Sequence, residues 1–226
     1  MKRASTFFTE SERSSIAEAV SAAEKKTSGE IVPVVATASG RYDRAEDLVG
    51  LCFSILLLIA GWILFQEVRP MEGDWASGQR LVLGLVPIVV IVLVGFGLGA
   101  ALSTWIPALK LPFLSRSEIE MEVDRGAADA FQRFRVRGTA AGTGVLIYIS
   151  LFEHTVQVIG DDAIASKVTQ DDWNQVRDLV LDGIRAGQAA EGFSQAIALC
   201  GDLLAAHFPI EPGDVDELTN ELRIID

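Results

Sequence analysis

Charged side chains are spread along this chain except in two stretches. Leu48–Gln66 and Leu81–Leu109, 19 and 29 residues long, contain no Asp, Glu, Lys or Arg. Each exceeds the roughly 18 apolar residues that mark a helix able to cross a bilayer. The pattern predicts one membrane-spanning helix over 48–66 and a second over 81–106, stopped by Pro107 and joined by a short loop, 67–80, so that the two run antiparallel. At about 1.5 Å per residue the first just crosses a hydrocarbon core of about 30 Å, whereas the second has length to spare for a tilt or a kink at Pro87. Trp62, Trp75 and Trp105 fall near the span ends, where indole rings favour the interface.

Small residues recur four apart in both spans: Gly50 and Ser54 in the first, Gly95, Gly99 and Ser103 in the second. That spacing places them on one helix face and allows close backbone approach. Packing within the hairpin is the plainer use of this face; a homo-oligomer joined through it is the alternative. Neither span contains an ionisable residue, which argues against a proton or ion pathway through this chain alone.

The flanking segments carry the periodicities of a soluble α/β domain. Thr9-Glu10-Ser11-Glu12 is a capping-box pattern, followed at helical spacing by Ile16, Ala19, Val20 and Ala23. Thr27-Ser28-Gly29 ends that helix, and Ile31 to Ala36 reads as a strand whose Pro33 belongs near an edge or turns its missing amide away from a partner. After the hairpin, Ser115 and Glu118 open a helix with Ile119, Val123, Ala127, Ala130, Phe131 and Phe134 on one face. Val145–Leu151 and Thr155–Ile159, joined through Phe152-Glu153-His154, read as a β-hairpin with one strand buried on both faces. Two amphipathic helices follow, with Trp173, Val176, Val180 and Ile184 on one and Phe193, Ile197, Cys200 and Leu204 on the other.

One helix and one strand cannot form a core alone. The expected architecture is therefore an αβα sandwich with a small central sheet, whose first part (1–47) and second part (107–208) are separated by the membrane hairpin and followed by an acidic C-terminal tail, 209–226.

Composition sharpens this picture. The net charge of −12 argues against nucleic acid as a partner, and residues 107–226 hold 10 Lys and Arg against 20 Asp and Glu. The cysteines, Cys52 and Cys200, read as small buried residues and not as a disulfide or metal pair. No signal peptide is visible, since Met1-Lys2-Arg3 leads into polar residues and an amphipathic helix. Arg69 and Arg80 lie in the loop, against Arg41, Arg44, Lys110, Arg116 and Arg125 on the outer flanks, which favours both termini in the cytoplasm.

Three segments resemble the TPM-domain family, which includes a thylakoid-lumen protein of photosystem II repair and many bacterial membrane proteins. They are Ile16–Val32 with its Thr27-Ser28-Gly29-Glu30 turn, Thr143–Ser150 with Val156–Asp161, and Gly192–Ala205 ending in His207-Phe208-Pro209. The resemblance implies an αβα sandwich and a bacterial inner-membrane subgroup in which a two-span hairpin interrupts the domain. It also implies that some members act as acid phosphatases and that some bind a divalent cation. The chain departs from the family after the central strands, where the usual Gly-Tyr-Gly is Ile159-Gly160-Asp161-Asp162-Ala163.

For chemistry the best cluster is Asp161 and Asp162, at the end of a central strand, with Asp171 and Asp172, at the start of a helix. Strand ends and helix starts converge at one edge of an open sheet, and Ca²⁺ or Mg²⁺ takes several oxygen ligands. The competing reading is a solvated turn for the first pair and a favourable helix N-terminus for the second. His154 reads as a turn residue and His207 as a helix C-terminal residue; no nucleophile elbow, His-Glu-x-x-His or Cys–His arrangement accompanies either. Gly138–Gly144 precedes a strand and lacks the lysine of a phosphate loop, and Arg133, Arg135 and Arg137 before it read as a solvated helix end. The sequence reading is thus a non-catalytic interaction or assembly and maintenance module at the membrane, with the lipid bilayer and unidentified proteins as partners. The alternative is a divalent-cation-dependent phosphatase.

Overall fold

A computed structural model describes residues 3–65, 69–70, 79–80, 84–139, 142–210 and 217–226. In chain order its elements are α1 (Ala4–Phe7), α2 (Glu10–Glu24), β1 (Glu30–Ala36), α3 (Asp43–Phe65), β2 (Arg69–Pro70), β3 (Gln79–Arg80), α4 (Leu85–Trp105), α5 (Arg116–Arg133), β4 (Gly144–Ser150), β5 (Thr155–Gly160), α6 (Asp162–Ala165), α7 (Gln170–Arg185), α8 (Ala189–His207) and β6 (Arg223–Ile225). Short 3₁₀ turns occupy Pro107–Phe113 and Val136–Gly138. The chain divides into two compact units: one comprises Arg41–Ser115, and the other joins the residues up to Gly40 to Arg116–Asp226.

The second unit is an αβα sandwich. Its sheet runs β5-β4-β1-β6, with β1 parallel to both β4 and β6 and β4 antiparallel to β5. Strand alternation sorts the side chains into two cores. Ile31, Val35, Val145, Ile147 and Ile149 face α2, α7 and α8, meeting Ile16, Val20, Val176, Val180, Phe193, Ile197 and Leu204. Val32, Val34, Leu146 and Tyr148 face α5, meeting Val123, Ala127, Ala130 and Phe131. Both central strands are buried along their whole length, which is why they read as continuous apolar runs. Cys200 is wholly buried among these aliphatic side chains, and burial pushes its thiol up to about 12.

The β6 side of β1 explains Pro33. Glu30 donates its amide to the Thr143 carbonyl on the β4 side, so successive amides alternate and those of residues 31, 33 and 35 point the other way. There the Ile31 amide is met by Glu24 Oε1 at 3.0 Å, Pro33 has no amide to satisfy, and β6 begins opposite Val34. The strand is central, yet among the described residues no partner strand pairs with β1 on that side at its proline. The chain end expected as an acidic tail thus contributes a strand: Arg223–Ile225 closes the sheet, Thr37 donates its amide to Ile225 O at 2.8 Å, and Asp226 Oδ1 accepts from Ser5 N and Thr37 Oγ1. Ile224 and Ile225 each find an apolar core on their own face, an apolar gain that the acidic composition upstream obscures.

Among the described residues, α3 and α4 of the first unit are the two helices long and apolar enough to cross a membrane. The small residues are turned between them. A Cβ on Gly99 would lie 2.6 Å from Phe53 Cβ and 2.9 Å from Gly50 Cα, and one on Gly95 would lie 2.8 Å from Ser54 Cα. Ser54 Oγ donates to Val92 O at 3.1 Å across this seam. The face offered for a homo-oligomer is therefore occupied within the hairpin. Leu51, Ile55, Leu56, Ile59 and Ile63 on α3, and Val86, Val90, Leu93 and Leu98 on α4, point outward.

Three expectations shift. Helix α3 begins at Asp43, because Asp43 and Glu46 in its first turn suit the helix N-terminus and do not interrupt it. Helix α4 starts at Leu85, placing Pro87 in the first turn, where a missing amide costs no helical hydrogen bond; residues 81–83 of the expected span lie outside the described residues. Cys52 is exposed on α3, not buried. Most of the expected loop 67–80 also lies outside the described residues; within it Arg69–Pro70 pairs antiparallel with Gln79–Arg80.

Candidate functional site

Three of the four aspartates of the expected cation cluster are committed locally. Asp161 is the N-cap of α6, its Oδ1 accepting from Asp162 N at 2.8 Å, and it is buried beside the Arg137 guanidinium at 3.5 Å. Asp162 is exposed and takes Arg137 Nη2 at 2.7 Å. Hydrogen bonding to Asp162 and its charge hold the Arg137 pKa above its ordinary value. On α7, Asp172 closes a capping box with Thr169: Oδ2 accepts from Thr169 N at 2.9 Å and from Thr169 Oγ1 at 2.6 Å. These bonds lower its pKa, and His207 at the end of α8 adds a smaller push in the same direction. Asp171 lies exposed in the same first turn.

Among the described residues no group of three or more His, Cys, Asp or Glu side chains converges to hold a metal ion. A hard divalent cation needs such a set of oxygens, and here the nearest cation to Asp161 and Asp162 is a guanidinium. The residues present do not fit the cation that the family resemblance implies.

The histidines match their simple readings in position. His154 occupies the turn between β4 and β5, exposed and at φ 51°, in the left-handed region. His207 ends α8 and is exposed.

A different polar group is assembled in the structure. The register pairs Ala36 with Ser150, so the C-terminal ends of the parallel strands β1 and β4 lie side by side, the edge of an open α/β sheet where sites are commonly built. There Glu153, buried in the β4–β5 turn, accepts the Ser39 amide on Oε1 at 2.8 Å and the Ser150 hydroxyl on Oε2. Ser39 Oγ donates to Ser150 Oγ at 2.8 Å, and since that uses its one proton, Tyr148 supplies the hydrogen in its 3.1 Å contact with Ser39. The chain of donors runs Tyr148, Ser39, Ser150, Glu153. Burial raises the Tyr148 pKa, with the Ser39 hydrogen bond opposing. Gly126 on α5 makes room for the group: a Cβ there would lie 2.9 Å from the Tyr148 hydroxyl and 3.1 Å from Ser39 Cβ.

Neither Ser39 nor Ser150 belongs to a motif, and what brings them together is the parallel pairing of strands 114 positions apart in the chain. The network fixes the segment that leaves β1, because Glu153 holds Ser39 by its backbone. Within it the Glu153 carboxylate accepts from both Ser39 N and Ser150 Oγ.

Comparisons with known proteins agree with this architecture. No curated protein matches the chain. A solved structure titled as the NMR structure of BA42 protein from the psychrophilic bacteria Bizionia argentinensis sp. nov. matches with a TM-score of 0.54 and 21% identity, covering 96% of this chain and 94% of that one; at this identity the likeness concerns the fold alone. A family model described as the TPM domain matches residues 116–203, a range spanning α5, β4, β5, α6, α7 and most of α8. The strand β1 lies before the matched range, yet its residues fill the centre of the same sheet. The chain therefore carries a TPM domain, at residues 116–203.

Proposed function

We propose that this protein is a non-catalytic interaction or assembly module, anchored by the α3–α4 hairpin in the bacterial cytoplasmic membrane with both termini and the TPM domain in the cytoplasm. The observation that carries the reading is the commitment of the candidate acids. Asp161 and Asp162 are bound to Arg137, and Asp172 is bound to its own cap, so their stabilising roles are structural. The excess of Lys and Arg on the outer flanks over the loop supports the orientation. The acidity of residues 107–226 supports protein partners with a basic face and argues against nucleic acid.

The test is chemical cross-linking in intact membranes, followed by gentle solubilisation and purification of the full chain. Specific partner proteins recovered with the wild type, and lost when the acidic face of the domain is reversed in charge, support the module. A chain recovered only with itself contradicts it. Phosphate-ester hydrolysis assayed on the same preparation, with Ca²⁺ or Mg²⁺ added, separates the phosphatase alternative: hydrolysis abolished by Asp161→Asn or Asp172→Asn would replace the proposed reading.

A further inference from the structure

The segment that follows α4 has its polarity inside out. In the 3₁₀ turn Pro107–Phe113, residues three apart eclipse one another, so Pro107, Lys110 and Phe113 share one side. That side is the inner one: Lys110 is 8% exposed and pairs with Glu46 in the first turn of α3, while Pro107 and Phe113 are half-buried. The outer side carries Trp105 (85% exposed), Ile106 (47%), Leu109 (36%) and Leu111 (43%), with Ala108 and Pro112 between them. A segment bathed in water would turn the ammonium outward and the leucines inward, since lysine is almost never buried unless paired. Here the single charged side chain between Arg80 and Arg116 is turned in and neutralised, and every residue from Trp105 to Pro112 other than Pro107 and Lys110 is exposed and apolar.

We infer that Trp105–Pro112 is a lipid-contacting belt, seated at the boundary between phospholipid headgroups and acyl chains, and that the Glu46–Lys110 pair closes the base of the hairpin beneath it. The occupant is phospholipid because this surface continues, without a break in the chain, the outward apolar face of α4. Trp105 is the residue type that favours this depth, and a short turn with its apolar side down lies in the interface plane. Proline at position 107 ends the α-helix without ending the membrane contact, so the anchored surface extends past the span. The inference rests on the reading of α3 and α4 as membrane spans.

Depth-resolved spin labelling tests it on the full chain in vesicles of phosphatidylethanolamine and phosphatidylglycerol. Cys52 and Cys200 are first replaced by serine and alanine, and nitroxides are then attached singly through Leu109→Cys, Leu111→Cys, Leu56→Cys on the outward face of α3, and Asp202→Cys at an exposed position of α8. The readout is the ratio of collision rates with oxygen, which enriches in lipid, and with a water-soluble nickel chelate. We expect labels at 109 and 111 to show a ratio several-fold above that at 202 and below that at 56. Ratios at 109 and 111 equal to that at 202, with 56 lipid-like, overturn the belt while leaving the spans in place. Shielding of 109 and 111 from both reagents assigns them to a protein contact and overturns it equally. A water-like ratio at 56 overturns the membrane reading itself.

Discussion

Replacing Glu153 by alanine tests whether the buried network at the strand ends holds the domain. The substitution removes the acceptor of the Ser39 amide and of the Ser150 hydroxyl. A buried donor left without its acceptor costs about 1–3 kcal/mol, and both bonds go to a carboxylate, which places them in the upper part of that range. Removing the carboxylate also relieves the cost of having desolvated it, which returns part of the loss. The net destabilisation is about 3 kcal/mol. With a urea dependence of about 2 kcal/mol per molar for a domain of this size, the midpoint falls by about 1.5 M.

Trp173 is buried in the sandwich core, so its fluorescence reports the domain when Trp62, Trp75 and Trp105 are replaced by phenylalanine and the full chain is held in detergent micelles. Ser150→Ala shortens the same path at its middle and should cost less, about 1 kcal/mol. The two changes share partners, so their effects should couple by at least about 0.5 kcal/mol in a double-mutant cycle. Glu18→Ala, on the exposed side of α2, serves as the control and should shift the midpoint little. A Glu153→Ala midpoint within about 0.3 M of wild type would refute the reasoning.

Four further outcomes follow from the geometry. Gly99→Leu places a side chain where a Cβ already meets Phe53 at 2.6 Å, so it should lower the melting temperature of the detergent-solubilised hairpin, whereas Gly97→Leu, with nothing within 4 Å, should not. Deleting Arg223–Asp226 should strip hydrogen-exchange protection from the Thr37 and Ser5 amides and leave the Ile31 amide, held by Glu24, protected. Asp172 has a folded pKa below its ordinary 3.8, so its contribution is fully present above that value and disappears as pH falls through the lower folded one; Asp172→Asn should flatten the acid limb of a stability-against-pH curve in that window. Glu46→Gln leaves Lys110 turned inward without its anion and should destabilise the hairpin by about 1–2 kcal/mol, and Glu46→Gln with Lys110→Met should recover most of the loss, both read by thermal melting in micelles.

The helices of the sandwich were legible because their periodicity survives in any context. Ile16, Val20 and Ala23, and likewise Phe193, Ile197, Cys200 and Leu204, occupy the core faces that their spacing predicts. The capping box at Thr9 and Glu12 forms as written in the sequence. The central strands announced themselves by burial on both faces. The C-terminal strand did not, since three residues after an acidic stretch carry too little pattern to separate a sheet edge from a tail.

The aspartate cluster illustrates the limit of spacing arguments. Residues that converge by topology were paired off by their nearest neighbours, Asp161 and Asp162 by Arg137 and Asp172 by Thr169. The Ser39–Ser150–Glu153 network lay hidden for the opposite reason. Its members are ordinary residues made adjacent only by the parallel register of β1 on β4. Lys110 was read from its charge as a cytoplasmic flank, and it takes a three-residue period with a partner on α3 to turn it inward.

The central claim is that one αβα domain is assembled from chain on both sides of a membrane hairpin, which requires both parts to lie on the same side. Ser11→Cys before the hairpin and Glu191→Cys after it are exposed positions on α2 and α8 of the same sandwich. In a background lacking Cys52 and Cys200, a membrane-impermeant maleimide applied to inside-out and right-side-out vesicles reports their sides directly. The account predicts that both cysteines react in inside-out vesicles and neither in right-side-out ones. Reaction of one cysteine in each preparation would place β1 and β4 on opposite sides of the membrane and contradict it.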